Sequence, residues 1–555
     1  MPAWLKRLRP LAPDPLTVLS GVLIVLSFPP YGIYPLIWVC LVPWLFALGR
    51  ARGFRQAFLQ GVWLSFFMSV LGFHWVAYVL HEYGQIPWAA AILGLLLFSL
   101  AGQPQFLCFA PALSYFLRKR EGHEAPVKGA ALGLGLLLAL AYAGTDWVLP
   151  KLWVDTLGHS LYRARNLRQI ADLGGAHLLT VLVFLVNDLA YRILTALRAR
   201  KEPSLWPVAQ AVGPQAAGTA LLLACSWLYG HHRLAEIEAL EAEPRTRIQT
   251  AVIQANIGDF DKVAAETGTI RGAAERVLST FFSLSDQALS QTPKPDALIW
   301  PETSYPGTFR TPQEASELYR DQQVERFVRE RGVPLYFGGY DRMGRKDFNA
   351  FFFLSPKPVP GLAGDGDLQI YRKSILLLFG EYIPGAESIQ ALKDAFPQVG
   401  NFGRGPGPSV FALPTASKQV PTVRAGPVIC YEALFPDFVI GAARKGAELI
   451  LNVTNDSWFG PYGEPQLHLA LTAFRSIETR LPQLRATNTG ISALILPNGD
   501  ITHSTPIGAP QILNVSIPLV SRTQTLMLAW GDWFGRIALF IGFLGLFLIA
   551  RRRQA

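Results

Sequence analysis

Long apolar segments constrain the fold of this chain more than any other feature. A transmembrane helix needs about 20 mostly apolar residues, and such stretches are concentrated before residue 232 and again near the C-terminus. The candidate segments are 14–31, 34–49, 57–80, 87–117, 129–149, 171–194, 208–230 and 526–550. We therefore expect a seven-helix transmembrane domain over 1–232 and a C-terminal transmembrane helix over 526–550.

The composition agrees with a membrane protein. Charged residues make up 16% of the chain, whereas soluble domains carry about 25%. The low share of charge excludes a disordered chain and disfavours a purely soluble enzyme. The net charge of +10 would suit a nucleic-acid binder, but the basic residues lie largely in short loops between apolar segments. We therefore expect no nucleic-acid partner.

The loop charges also predict an orientation. Cytoplasmic loops are enriched in Lys and Arg, and these residues cluster at the N-terminus, in alternate later loops and at the C-terminus. The loop at 151–169 is an exception, because it is basic but falls on the other side. We expect both termini in the cytoplasm and residues 235–520 outside it. A cleaved signal peptide is the alternative for the first segment, but no small-residue cleavage site follows it.

Residues 235–520 have a different character, because charges increase and short apolar runs alternate with helical patterns. Alternating strands and helices indicate α/β layers. The predicted strands are 247–257, 297–300, 334–340, 350–354, 425–431, 449–453 and 493–496. The predicted helices are 264–290, 312–331, 436–446 and 465–480. The segment is long enough to hold one enzyme core.

Cysteine is the most informative residue in that domain. Of the four cysteines, only Cys430 lies outside the apolar segments, at the end of a strand-like run. A buried structural thiol and a nucleophile are both compatible with this position, and a nucleophile would need a base or a positive neighbour. Glu302, Lys373 and Glu381 follow other apolar runs. Taken singly, Glu302 could be a charge at a helix N-terminus, Lys373 a solvated loop residue, and Glu381 the ion-pair partner of Lys373.

Taken together, three motifs carry a resemblance. WPE at 300–302, YRK at 371–373 with FGEYIP at 379–384, and ICYE at 429–432 resemble the Glu-Lys-Cys triad of the nitrilase (carbon–nitrogen hydrolase) superfamily. A chain with seven N-terminal apolar segments, a nitrilase-like domain and one C-terminal apolar segment resembles the apolipoprotein N-acyltransferase family. Further fragments of the chain agree with that family, at 27–45, 171–187, 454–460 and 485–499.

The resemblance implies an αββα sandwich and a lipid-modifying reaction in the bacterial inner membrane, with a periplasmic catalytic domain. Cys430 would be the nucleophile, Glu302 the general base and Lys373 the stabiliser of the oxyanion. The acyl donor would be a phospholipid, and the acceptor the α-amine of diacylglyceryl-cysteine on an apolipoprotein. Further active-site residues, which would orient the lysine or the active-site loop or lie beside the nucleophile, are Glu381, Tyr431 and Glu432. No cofactor and no metal are expected.

Four aromatic residues are expected to contact lipid or substrate. Trp75 and Tyr78 would line an access route, or else belong to an ordinary aromatic belt. Phe260 stands where the family often has a tryptophan, and Trp300 begins the WPE motif. Two other functions stay open: a membrane-anchored amidase or nitrilase that hydrolyses its thioester with water, and a non-catalytic, membrane-tethered binding module.

Overall fold

The computed structural model describes residues 12–121, 130–200, 204–258, 264, 272–344, 346–358, 367–383, 385, 389, 402–415 and 420–552. The chain divides into two compact units. A helical unit lies within Met1–His81, Gln85–Leu234 and Asp532–Ala555, and an α/β unit lies within Glu82–Gly84 and Ala235–Gly531. The fold therefore has the two parts that the change in composition indicates.

Apolar helices make up the first part of the chain. They are α1 (Pro15–Ser27), α2 (Val42–Gly49), α3 (Phe54–Gly72), α4 (Trp75–Glu82), α5 (Trp88–Ser99), α6 (Pro104–Glu121), α7 (Ala130–Val148), α8 (Ala171–Ala199) and α9 (Trp206–Ala242). Short 3₁₀ turns occupy Tyr34–Trp38, Leu157–Arg163 and Leu167–Ile170. The predicted segment 34–49 is thus a 3₁₀ turn followed by a short helix.

Four helices among the described residues are long and apolar enough to cross a membrane: Trp88–Lys119, Leu167–Ala199, Trp206–Ala242 and Phe534–Arg551. A fifth crossing results if α3 and α4 are counted as one span, although they meet at an angle of 64°. Three further apolar helices, Pro15–Ser27, Tyr34–Gly49 and Leu132–Val148, are shorter. The count of seven spans plus one stays a prediction.

The α/β unit contains two six-stranded sheets, ordered β12-β1-β2-β3-β4-β5 and β11-β10-β9-β8-β7-β6. The first six strands are β1 (Thr246–Gln254), β2 (Ala297–Ile299), β3 (Leu335–Met343), β4 (Lys346–Leu354), β5 (Leu368–Arg372) and β6 (Phe411–Pro414). The others are β7 (Thr422–Ile429), β8 (Leu449–Thr454), β9 (Gln483–Thr487), β10 (Ala493–Ile495), β11 (Ile501–Ser504) and β12 (Gln511–Leu519).

Helices pack on both sheets. They are α10 (Ala273–Leu289), α11 (Ala315–Arg331), α12 (Pro436–Arg444), α13 (Glu464–Thr479) and α14 (Leu526–Trp530). Phe281 on α10 and Val324 on α11 are buried in one core with Phe337 of the first sheet, while Ala473 on α13 is buried with Ile495 of the second. The αββα sandwich predicted from the sequence is therefore confirmed.

The last helix, α15 (Phe534–Arg552), belongs to the helical unit. The predicted segment 526–550 contains a break, because α14 ends at Trp530 and Gly531 has a φ of 77°. A positive φ of this kind is easily adopted only by glycine. The apolar C-terminal helix therefore begins eight residues later than the sequence pattern indicates.

Parallel strands bring the site together. β1, β2 and β3 run parallel in the first sheet, and β7, β8 and β9 run parallel in the second. The carboxyl ends of parallel strands meet at one edge of a sheet, where α/β proteins place their ligands. Glu302 follows β2, Cys430 follows β7 directly, and Asn455 follows β8.

Candidate active site

Cys430 stands at a sharp turn. It is the first residue of a 3₁₀ turn, Cys430–Leu434, and its φ of 51° lies in the left-handed region. A non-glycine residue in that region is strained, and such strain clusters at functional sites. The turn follows β7, which lies between β6 and β8, without a linker, and Cys430 is 6% exposed. The thiol is therefore held at a fixed point at the strand end.

Two carboxylates flank the ammonium group of Lys373, which lies 3.2 Å from Glu302 Oε1 and 2.8 Å from Glu381 Oε1. The Nδ2 of Asn349, on β4, donates to the same two oxygens over 2.7 Å and 3.0 Å. Lys373 and Glu302 are both buried. One lysine and one amide therefore tie the two glutamates into a single polar cluster.

The charges of this cluster act on Cys430. Burial raises the pKa of the thiol well above its usual value, and the negative charge of Glu302 raises it further, while Lys373 and a hydrogen bond with Thr454 oppose the shift. Burial alone would lower the pKa of Lys373, but Glu302, Glu381 and Cys430 together raise it well above the usual value. The resting site therefore holds a protonated thiol beside a permanent ammonium group.

Glu432 holds the backbone around Cys430. Its carboxylate accepts hydrogen bonds from the Tyr371 hydroxyl (2.8 Å and 2.7 Å) and from the backbone N–H groups of Ser374 (2.6 Å), Ile375 (3.1 Å) and Ile429 (2.8 Å). Burial raises its pKa to about 7, against the lowering effect of these donors. Glu432 therefore links the end of β5 to the end of β7.

Two further residues at the end of β8 complete the site. The backbone N–H of Asn455 donates to Glu302 Oε2 over 2.9 Å, and the Thr454 side chain hydrogen-bonds with the thiol of Cys430. Residue type does not predict either role. The first uses a backbone group, and the second uses a hydroxyl like that of any other threonine. The TNDSWFG fragment at 454–460 marked the segment as family-like, but nothing in it identifies these contacts.

A buried ionic cluster lies behind that segment. Asp456, Glu464 and His468 bring their ligand atoms within 4.8 Å of one another, a spacing that could hold a metal ion. Arg485, however, donates to Asp456 Oδ2 over 2.8 Å and lies 3.1 Å from His468 Nδ1. Its guanidinium already supplies a positive charge and would repel a cation placed there. The cluster is therefore better described as an internally neutralised network that anchors Asp456.

Trp300 is a core residue and not the expected substrate contact. Its side chain is fully buried, with ring centroids of Phe281 and Phe282 4.9 Å and 5.6 Å away. Its Nε1 donates to Ser285 Oγ over 2.9 Å. Trp300 directly follows β2, and its backbone N–H donates to the carbonyl of Tyr336 over 2.8 Å, which holds it beside β3 with its side chain in the core. The motif position is thus correct, but its tryptophan packs α10 against the first sheet.

The other aromatic expectations have different outcomes. Phe260 lies outside the described residues. In the helical unit, Trp75 is 2% exposed and packs edge-on against Trp153 at 5.2 Å, whereas Tyr78 is half-buried. Trp75 thus has little surface to offer a lipid. Tyr431, next to Cys430, packs against Phe435 at 5.0 Å.

The α/β unit has the fold of the carbon–nitrogen hydrolase class, and residues 249–525 match the description "Carbon-nitrogen hydrolase". Residues 20–189 match "Apolipoprotein N-acyltransferase N-terminal domain". The chain belongs to the apolipoprotein N-acyltransferase family.

Relatives from several bacteria support this assignment over nearly the full length of the chain. An apolipoprotein N-acyltransferase of Bdellovibrio bacteriovorus is 33% identical over 93% of this chain and 90% of its own. One from Geobacter metallireducens is 31% identical over 94% and 92%, and one from Chlorobaculum tepidum is 27% identical over 97% and 97%. The resemblance stated from the motifs is confirmed.

Proposed function

We propose that this acyltransferase carries a fatty acyl chain as a thioester on Cys430, taken from a phospholipid and passed to the α-amine of diacylglyceryl-cysteine on an apolipoprotein. The observation that carries the proposal is the Glu302–Lys373–Glu381 cluster, in which the charges of Glu302 and Lys373 act on the thiol of Cys430. A base, a fixed cation and a nucleophile in one site are what acyl transfer through a thioester requires.

In the first step Glu302 accepts the thiol proton while Cys430 Sγ attacks the ester carbonyl carbon. Burial makes a free thiolate costly, so proton transfer and attack occur together. The carbonyl oxygen becomes an oxyanion, and the ammonium group of Lys373 stabilises it. Collapse of this intermediate breaks the bond between the carbonyl carbon and the glycerol oxygen. That oxygen takes the proton from Glu302, and lysophospholipid leaves.

In the second step the α-amine of the acceptor attacks the thioester carbon. Glu302, again unprotonated, takes a proton from the amine, and Lys373 again faces the oxyanion. The carbon–sulfur bond breaks, the thiol regains a proton from Glu302, and the product is an amide. One general base therefore serves both half-reactions, and the ammonium group keeps its charge throughout.

Glu381 and Asn349 have supporting roles in this proposal. Glu381 Oε2 accepts from the backbone N–H of Leu377 over 2.8 Å, which fixes the carboxylate relative to the chain. Its other oxygen holds the ammonium group of Lys373. Asn349 spans both carboxylates, so the base keeps its orientation while it gains and loses a proton. Both residues position the catalytic groups and do not react.

The membrane location follows from the substrates. Each buried CH₂ is worth about 0.8 kcal/mol, so extraction of a long acyl chain into water would be prohibitive. An enzyme anchored by apolar helices lets the chains stay in lipid while the ester reaches the thiol. We infer an inner-membrane protein with a periplasmic catalytic domain and cytoplasmic termini, which agrees with the distribution of basic residues in its loops.

Hydrolysis of the thioester by water is the competing function, but the relatives named N-acyltransferases match the helical part of the chain as well as the hydrolase-like part. The direct experiment replaces the nucleophile. Cys430→Ala in the full-length enzyme should abolish formation of triacylated lipopeptide from phospholipid and a diacylated lipopeptide, with thermal unfolding unchanged. Full transfer activity in a correctly folded Cys430→Ala enzyme would refute the assignment.

A further inference from the structure

Residues 402–405 lie against β4 and against Lys373, the residue that follows β5. The backbone N–H of Gly405 donates to the carbonyl of Lys373, and that of Gly403 donates to the carbonyl of Asp347, each over 2.8 Å. A Cβ at Gly405 would collide with the carbonyl oxygen of Arg372, and one at Gly403 would collide with the ring of Phe348. The two glycines therefore allow a close approach that fixes the residue between them.

That residue is Arg404, whose side chain is exposed. Its guanidinium carbon lies 4.6 Å from the ring centroid of Tyr382. Tyr382 follows Glu381 in the active-site loop. Burial is the main cause that raises the pKa of the Tyr431 hydroxyl, and the electrostatic effect of Tyr382 raises it further. Tyr431 is the residue after Cys430. Arg404 therefore lies at the rim of the site, because the residue after it is bonded to the Lys373 carbonyl and its guanidinium covers the tyrosine that follows Glu381.

Among the described residues, no carboxylate forms an ion pair with Arg404. The neighbouring acids are already engaged, since Asp347 binds Arg342 and Glu381 binds Lys373. Other arginines of the unit, such as Arg310 and Arg331, do have carboxylate partners. A guanidinium that stacks on an aromatic ring keeps its in-plane N–H groups available. Among the described residues, Arg404 thus presents a positive charge and N–H donors that no carboxylate engages, close to the active site.

We propose that Arg404 binds the phosphate of the phospholipid acyl donor. The inference rests on the proposed function, in which the donor ester must reach Cys430. In a phospholipid the phosphodiester anion is a few bonds from the ester carbonyl, so it must lie near the rim when the carbonyl is at the thiol. The planar fork of a guanidinium matches two phosphate oxygens. The contact selects a phosphate-bearing donor and sets the depth to which its glycerol enters.

The test compares two acyl donors in mixed detergent micelles with the full-length enzyme. One is phosphatidylglycerol, and the other is a diacylglycerol with the same chains, which keeps the esters but lacks the phosphate. Formation of the acyl-enzyme and its chase by a diacylated lipopeptide are followed separately by mass spectrometry. The variants are Arg404→Gln and Arg404→Lys, and Arg331→Gln is the matched control because its exposed guanidinium pairs with Asp286 on the helical face of the unit.

We expect Arg404→Gln to raise the KM for phosphatidylglycerol in the acylation step about 10- to 100-fold, the range of a charge-assisted bidentate contact, and to leave diacylglycerol unaffected. The KM of Arg404→Lys for phosphatidylglycerol should lie between those of the wild type and Arg404→Gln, because lysine keeps the positive charge but lacks the planar pair of N–H donors. Equal loss with both donors, loss confined to the lipopeptide chase, or no change would each overturn the proposal. If the wild-type enzyme forms no thioester with either donor, the proposed function fails instead.

Discussion

The backbone N–H of Asn455 donates a 2.9 Å hydrogen bond to Glu302 Oε2, and this bond joins the end of β8 in the second sheet to the segment after β2 in the first. The other oxygen of Glu302 is held by Lys373 and Asn349, both from the first sheet. The orientation of the proposed base therefore depends on the packing of the two sheets against each other, and the nucleophile follows a strand of the same sheet as Asn455.

Removal of the charge on Glu302 should make the thiol more acidic while it stops turnover. Burial and the negative charge of Glu302 raise the pKa of Cys430, and Lys373 lowers it, so Glu302→Gln removes one raising cause while Lys373 still lowers the pKa. We expect the pH profile for alkylation of Cys430 to move to lower pH, while acyl transfer falls at least about 100-fold because the base is lost. The measurement is the rate of iodoacetamide modification against pH.

The alkylation must be assigned to Cys430 by peptide mass spectrometry, because Cys108 and Cys225 are exposed and Cys40 is buried. A Cys108→Ser/Cys225→Ser background simplifies this assignment and serves as the control. An unchanged profile, or one moved to higher pH, would show that the carboxylate of Glu302 does not act on the thiol as described.

Lys373→Met should affect both activity and folding. The variant removes a buried ammonium group and leaves two carboxylates, Glu302 and Glu381, without their cation. Unpairing of a buried charge costs about 3–5 kcal/mol, and loss of an oxyanion stabiliser costs about 10²–10³ in kcat. We expect a lower unfolding temperature together with loss of acyl-enzyme formation.

A double variant separates the two effects. Adding Glu381→Gln to Lys373→Met removes one of the unpaired charges, so it should restore part of the stability without restoring activity. Recovery of transfer activity in the double variant would mean that Lys373 is needed only to balance charge, which contradicts its proposed role.

Glu432 should be more important for stability than its partner Tyr371. Glu432→Gln turns one acceptor oxygen into a donor, which then faces either the N–H groups of Ser374 and Ile375 at Oε1 or that of Ile429 at Oε2. A buried donor or acceptor left unsatisfied costs about 1–3 kcal/mol. Tyr371→Phe removes a single hydroxyl and should cost about 1 kcal/mol. Unfolding followed in detergent distinguishes them, and equal losses would contradict the proposed anchoring role.

Asn349→Leu tests the bridge between the two carboxylates. The leucine has a similar size but cannot donate to Glu302 and Glu381, so the base loses one of the groups that orient it. We expect kcat for acylation to fall about tenfold, in proportion to the loss of one hydrogen bond to a charged group, with little change in KM. A rise in KM with kcat unchanged would instead indicate that Asn349 contacts the substrate.

Sequence reasoning could propose Glu302, Lys373 and Cys430 together because each follows an apolar run and their three motifs resemble one family's triad. Asn349 could not be found in this way, since a polar residue within β4 reads like any other strand position. Its importance arises only where β4 and β5 pair, with the Lys373 N–H bonded to the Asn349 carbonyl. The role of the Asn455 N–H is equally invisible, because every non-proline residue carries that donor.

Differences between the sequence reading and the structure have physical causes. Trp300 belongs to a motif beside the site, but its side chain lies in the core, since the motif alone does not tell which face of β2 each residue takes. The predicted segment 57–80 is a pair of helices bent by 64°, and hydropathy averaged over a window cannot register such a break. Charge pattern and apolar content are averaged over many neighbouring residues and can be taken from the sequence. Kinks and core packing depend on contacts between residues that are distant in the sequence.

The most direct test of the account is mass measurement of Cys430 after incubation of the full-length enzyme with phospholipid, followed by addition of a diacylated lipopeptide. The account predicts a fatty acyl mass on the peptide containing Cys430, removed by hydroxylamine as a thioester would be, and transferred to the lipopeptide amine on chase. Acyl transfer without any such adduct on Cys430, or an adduct that only water discharges, would contradict it.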